Sequence, residues 1–210
     1  MRLLAISPGT LDDSWLPKLQ QLLPLGQHLA FLFRDSACTA RSYFQRAQKL
    51  AKLCHLAHVA FFVHRRVDMA LALGAHLHLP SYGLKPSQVR PWLPPGQRLS
   101  VSVHNDEEAL TAQGADFALV SPVFSPGSKP GDLRHPLGPE GFLRLAHLLP
   151  CPAWALGGLS PSRLQQLPQL AGIAASSALW QAPNPLQVAK AMLAHWEDAE
   201  KCVSPQLNST

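Results

Sequence analysis

The chain has 210 residues, 47% hydrophobic and only 15% charged, which excludes an intrinsically disordered chain and is ample for a sizeable core. Lys and Arg number 18 against 13 Asp and Glu, a net charge of +5, and 10 His add positive charge below neutral pH. The basic residues are scattered, with no run beyond Arg65-Arg66, and no nucleic-acid module signature occurs, so a phosphorylated small molecule suits the charge better than nucleic acid. No 18-residue apolar stretch suggests a membrane span, and the apolar N-terminal run is too short for a signal-peptide core, which points to a cytoplasmic protein. Cys38, Cys54, Cys151 and Cys202 are widely spaced without a CxxC pair, as expected of free thiols.

Short apolar runs alternate with amphipathic stretches. A strand over Leu3–Ser7 precedes a helical pattern near Trp15–Leu23. A second strand, His28–Phe33, leads to a helix capped by Thr39, with Phe44, Ala47, Leu50, Ala51 and Cys54 at helical spacing. Val59–Val63 is a strand, Val67–Leu73 a short helix stopped by Gly74, and His76–Leu79 the fourth strand. A weak helix over Pro86–Leu93 is interrupted by Pro91. After the fifth strand, Leu99–Val103, Asn105 caps a helix with Asp106, Glu107 and Glu108 in its first turn, and Gly114 stops it. Phe117–Val120 is followed by a Pro/Gly-rich stretch, Pro122–Leu137, and a helix at Glu140–Leu149. Ala153–Leu156 is the seventh strand, Ser160-Pro161 opens a helix, Ile173–Leu179 is the eighth strand, and Pro185–Asp198 the last helix. Eight strand–helix units predict a single (β/α)8 TIM barrel over 1–200 with a flexible C-terminal tail at 201–210. An open doubly wound sheet is the weaker alternative, since neither GxGxxG nor GxxxxGK[ST] occurs.

Barrel enzymes carry their chemistry at the C-terminal ends of the strands. That rule selects Arg34, His64 and Arg65, Pro80–Tyr82, His104, Ser121–Lys129, Gly157-Gly158 and Ser176-Ser177. The loops after strands seven and eight build phosphate sites from backbone amides, so Gly157, Gly158, Ser176 and Ser177 form the candidate cradle. Ser128 and Lys129 on the long sixth loop would add a hydroxyl and a point charge. His104 is placed for acid–base work or for capping the next helix. Arg34 could hold a phosphate or pair with Asp35, while Asp68 more naturally caps or pairs locally. His76 and His78 share a strand face, a pairing that suits packing or hydrogen bonding better than a metal site lacking a third ligand.

Several segments together resemble the thiamine phosphate synthase/TenI family. They are Val67–Ala75, Ser102-Val103-His104-Asn105 with Glu107-Glu108-Ala109, Gly114-Ala115-Asp116, Ser121-Pro122-Val123-Phe124 with Ser128-Lys129-Pro130, Pro136-Leu137-Gly138, and Ala155–Leu159. The resemblance spans roughly Arg34 to Leu179. It implies the same barrel and a thiazole phosphate or thiamine phosphate ligand. Ser128 and Lys129 fall on the family's substrate loop, Gly158 and Ser177 on its phosphate cradle, and Arg34 on the synthases' diphosphate arginine.

Other positions depart from the synthases. Ser36 stands where they have a lysine, His64-Arg65 where they have an Asn-Asp pair, and Pro80–Gly83 lacks the aspartate they place there. Those acids hold the synthases' magnesium. Leu79–Leu84 is similar to the TenI-like branch, whose thiazole tautomerases transfer a proton without metal. The tautomerase histidine falls at Pro122, a possible substrate contact, so His104 or His64 would carry the proton and Arg65 could touch substrate. The resemblance thus implies thiazole tautomerase-type chemistry in thiamine biosynthesis, with no cofactor. The alternatives are a thiamine phosphate synthase, which would need Mg²⁺, and a non-catalytic sensor or carrier of a phosphorylated ligand. The outward helices allow a homodimer.

Overall fold

The computed structural model describes residues 1–9, 14–35, 37–125, 135–167 and 170–203, with the backbone alone over 196–203. Its strands are β1 (Leu3–Ile6), β2 (Leu29–Phe33), β3 (Ala60–His64), β4 (His76–Leu79), β5 (Leu99–Val103), β6 (Phe117–Val120), β7 (Ala153–Leu156) and β8 (Gly172–Ala175). They pair in parallel in chain order and close into a barrel, with Leu3 of β1 in register with Ile173 of β8. The helices outside are α1 (Leu16–Leu22), α2 (Ala40–Leu56), α3 (Val67–Leu73), α4 (Pro86–Val89), α5 (Asp106–Leu110), α6 (Gly138–Leu148), α7 (Pro161–Leu164), α8 (Ser177–Trp180) and α9 (Pro185–Val203). This is a single (β/α)8 barrel. No helix among the described residues is long and apolar enough to cross a membrane.

Three local expectations change. The apolar run Ile173–Leu179 is not one strand: β8 ends at Ala175, and Ser177–Trp180 turns into α8, which buries Leu179 and Trp180. A short apolar run does not by itself separate strand from buried helix. The weak helix over Pro86–Leu93 splits into α4 and a 3₁₀ turn at Arg90–Trp92, because Pro91 has no amide to continue the α pattern. The last helix runs to Val203, three residues into the expected tail, whose remainder at 204–210 lies outside the described residues. The caps occur as predicted: Thr39, Asn105 and Ser160 accept from the amides of Ser42, Glu108 and Arg163.

Strand alternation divides the core into two layers. One set of side chains, including Leu3, Phe31, Phe33, Leu77 and Val101, packs outward against the helices. The other set fills the barrel with Leu4, Ile6, Ala30, Leu32, Phe62, Phe117, Leu119, Trp154 and Ala174. Within that interior the Phe117 and Trp154 rings stack at 4.5 Å and Phe62 meets Phe117 edge-on at 5.8 Å. Trp154 lies opposite Gly172 in the β7–β8 register. A Cβ at Gly172 would come within 2.3 Å of the indole, so the large ring and the missing side chain are complementary halves of one packing solution. The aromatic plug closes this part of the barrel and leaves chemistry to the strand C-termini.

Candidate functional site

A cavity of about 360 Å³ opens at the C-terminal ends of β1, β2, β6, β7 and β8. Its walls include Gly157, Gly158, Ser176 and Ser177, together with Arg34 and Pro122. The structure therefore brings the four cradle residues and Arg34 to one space. β8 ends at Ala175, Ser176 turns the chain, and Ser177 begins α8. The first amides of a helix have no acceptors within it, and Ser177 and Ala178 both line the cavity, so this end supplies anion-seeking donors.

Gly157 and Gly158 answer to a second demand. Both have positive φ, +102° and +60°, where side chains are strained. A Cβ on Gly157 would lie 2.8 Å from Pro122 Cα, and one on Gly158 only 2.6 Å from the Ser125 carbonyl oxygen. The amides of Val123 and Phe124 donate to the carbonyls of Leu156 and Gly157 at 2.9 and 3.0 Å. The Arg163 guanidinium donates to the Gly158 carbonyl at 2.7 Å. The glycine pair thus admits the start of the sixth loop, with Pro122 buried against it, as well as leaving the cavity open. Ser128 and Lys129, farther along that loop, lie outside the described residues.

Ser7, buried at the end of β1, was not singled out from the sequence, although the strand-end rule reaches it. Its hydroxyl donates to the Arg34 carbonyl at 2.9 Å and accepts from the Arg34 amide at 2.8 Å. It fixes the backbone from which Arg34 projects. Asp35 does not pair with Arg34: it binds Arg46 at 2.5 Å and the amides of Ala37 and Cys38. Trp180 and Gln181, also on the cavity wall, were hidden by reading their segment as the end of a strand.

His64 and Arg65 lie beside this space, not on its lining. His64 of β3 is in register with His78 of β4, and their rings stack at 5.8 Å. Burial first, then the charges of Arg34 and Arg65, push His64 down to about 4, so it is neutral at physiological pH. His78 is buried and likewise held well below its usual range, first by burial and then by His64, Arg34 and His104. Its two ring nitrogens meet the Ser100 and Ser102 hydroxyls at 2.8 and 3.0 Å. His76 accepts from the Arg98 amide at 3.0 Å. Both histidines are thus engaged in hydrogen bonds within the fold. Tyr43 ties the β2 and β3 ends together: its hydroxyl donates to the Phe33 carbonyl at 3.0 Å and accepts from the His64 amide at 3.3 Å.

His104, one residue beyond β5, does not line the cavity either. Glu108 Oε2 accepts from its amide and from Nδ1, each at 2.8 Å. An ionised carboxylate only accepts, so Nδ1 carries hydrogen and Nε2 is the basic nitrogen of neutral His104. The cap of α5 is Asn105, not His104, and the Glu108 contact ties His104 to the first turn of that helix.

A closed parallel barrel whose strand C-termini surround a glycine- and serine-lined cavity is a phosphate-site architecture among α/β barrel enzymes. A family model described as thiamine monophosphate synthase matches residues 3–179, and the chain belongs to that family. A thiamine-phosphate synthase of Chlorobium luteolum is 32% identical over 188 residues, covering 87% of this chain and 88% of its own. One from Latilactobacillus sakei is 31% identical over 205 residues, covering 91% of each chain. The structure of a thiamine phosphate pyrophosphorylase from Pyrococcus furiosus superposes with a TM-score of 0.80 at 25% identity, covering 94% of this chain and 96% of that one.

Proposed function

We propose that the cavity receives the phosphate of a thiazole phosphate and that the protein joins it to a pyrimidine diphosphate, forming thiamine phosphate in thiamine biosynthesis. The observation that carries this reading is the convergence of Gly157, Gly158, Ser176, Ser177 and Arg34 on one cavity. The names of the relatives support transfer chemistry over the tautomerisation expected from the TenI-like segments. In the transfer, the bond from the pyrimidine methylene carbon to the diphosphate oxygen breaks, and that carbon bonds to the thiazole nitrogen. Diphosphate leaves with the electron pair. Its departure needs nearby positive charge, for which Arg34, Arg65 and Lys129 are the candidates. Phosphorylated intermediates do not cross membranes unaided, which fits a cytoplasmic location.

The His104–Glu108 pair favours a second reading, proton transfer that aromatises a thiazole carboxylate phosphate. One assay separates the two. Purified protein with pyrimidine diphosphate and thiazole phosphate should form thiamine phosphate, measured chromatographically, with loss on Arg34→Ala. No product while thiazole phosphate still binds would overturn the transfer. Ultraviolet aromatisation of the carboxylate, abolished by His104→Gln, would then establish the second reading.

A further inference from the structure

The first turn of α7 stands over the part of the sixth loop that presses on the glycine pair. Ser160 caps the helix, accepting from the Arg163 amide at 3.3 Å, and Pro161 sets its first turn. Helical side chains lean back toward the N-terminus, which brings the Arg163 side chain over Gly158. Its Nη1 donates to the Gly158 carbonyl at 2.7 Å and lies 3.5 Å from the Ser125 carbonyl oxygen. The guanidinium carbon stands 5.4 Å from the centre of the Phe124 ring. Among the described residues no carboxylate pairs with Arg163. Its charge is spent on the loop and on Gly158.

These contacts join two segments that are distant in sequence and adjacent at the cavity. Val123 and Phe124 run beside Leu156 and Gly157, and the returning Leu137 and Gly138 amides donate to the Pro122 and Val123 carbonyls, each at 2.9 Å. Arg163 closes the outer end of this hydrogen-bonded stack. The carbonyl it holds also matters. A trans peptide points its N–H opposite to its C=O, so a bond to the Gly158 carbonyl fixes the direction of the Leu159 N–H. Glycine has the widest backbone freedom, and the peptide that follows Gly158 therefore depends on an outside contact for its orientation. Leu159 lines the cavity, and its amide has no acceptor among the described residues.

We propose that Arg163 is a positioning residue, which clamps residues 122–125 of the sixth loop to Gly158 and so holds the cavity wall in its anion-binding shape. The ligand half of this proposal rests on the reading of that cavity as the phosphate end of the site. Arg163 is exposed and does not line the cavity, so it acts through Gly158, Leu159 and the loop, not on the ligand. Its planar guanidinium bonds a carbonyl and lies over a ring at the same time. A lysine ammonium reproduces only part of that arrangement.

Amide hydrogen exchange of the full chain and of Arg163→Met, followed by NMR, tests the clamp without a ligand. Methionine keeps an unbranched stem against Phe124 and removes the donors. The Val123 and Phe124 amides should exchange at least tenfold faster in the variant, while the Leu77 amide, bonded to the Arg98 carbonyl at 2.9 Å, should keep its rate. No change at Val123 and Phe124, or equal acceleration at all three, would overturn the clamp. Calorimetric titration of thiazole phosphate should then show affinity at least fivefold lower in Arg163→Met and partly restored in Arg163→Lys. Equal affinity in wild type and Arg163→Met would overturn the positioning role. A wild type that does not bind thiazole phosphate would instead remove the cavity reading, and the exchange rates would still decide the clamp.

Discussion

The two sides of the barrel mouth are built by different means. On the β7–β8 side the site is mostly backbone: two glycines with positive φ, the first amides of α8, and a sixth-loop segment pressed against them. On the β2–β5 side the mouth is made of side chains, with Arg34 on the cavity wall and His64, Arg65, His78 and His104 on or just after the following strands, outside its lining. A backbone cradle tolerates little change, because its shape is its chemistry. A side-chain wall can exchange acids for bases while the barrel beneath it stays intact.

The largest effect should come from breaking the cradle. Gly158→Ala places a Cβ 2.6 Å from a carbonyl oxygen at φ +60°. Left-handed strain and overpacking together should cost about 4 kcal/mol in denaturant unfolding. Gly83→Ala is the control, since φ is +93° there but nothing lies within 4 Å of the added carbon. Strain alone should cost about 1 kcal/mol at that site. Equal losses would remove the contact with the sixth loop as the reason for the glycine pair.

The opposite side should respond to acid. His64 has a folded pKa of about 4 against 6.5 unfolded, so between those values the unfolded chain binds a proton that the folded chain does not. Stability should therefore be complete above pH 6.5 and fall as pH drops towards 4, by up to about 3 kcal/mol from this group. His78, shifted in the same direction, adds to the decline. His64→Asn should flatten the profile between pH 6.5 and 4 in urea titrations; an unchanged slope would show that His64 is protonated in the folded protein. The smallest change is Tyr43→Phe. It removes the hydroxyl bridging Phe33 and His64 and should cost about 1–2 kcal/mol. No loss would show that the bridge does not secure the two strand ends.

The barrel was legible because its strands are apolar runs separated by capped helices, and Thr39, Asn105 and Ser160 marked helix starts correctly. The cavity wall was legible because Gly157-Gly158 and Ser176-Ser177 follow consecutive strands. Less visible was the turn from β8 into α8, since apolar Ala178, Leu179 and Trp180 suit either conformation. The partners of the charged residues were also hidden. Asp35 stands beside Arg34 in sequence but reaches Arg46 one helix away, and Ser7 meets Arg34 only because β1 and β2 are neighbours. The double use of the glycine pair could not be read locally either, since it depends on where the sixth loop packs.

The most direct measurement is calorimetric titration of thiazole phosphate into the wild-type chain and into Ser177→Val, whose fold is verified by its unfolding midpoint. Saturable binding to the wild type, displaced by inorganic phosphate and at least tenfold weaker in Ser177→Val, is the predicted result. No binding to the wild type, or equal affinity in the two proteins, would contradict the assignment of this cavity as the phosphate end of the site.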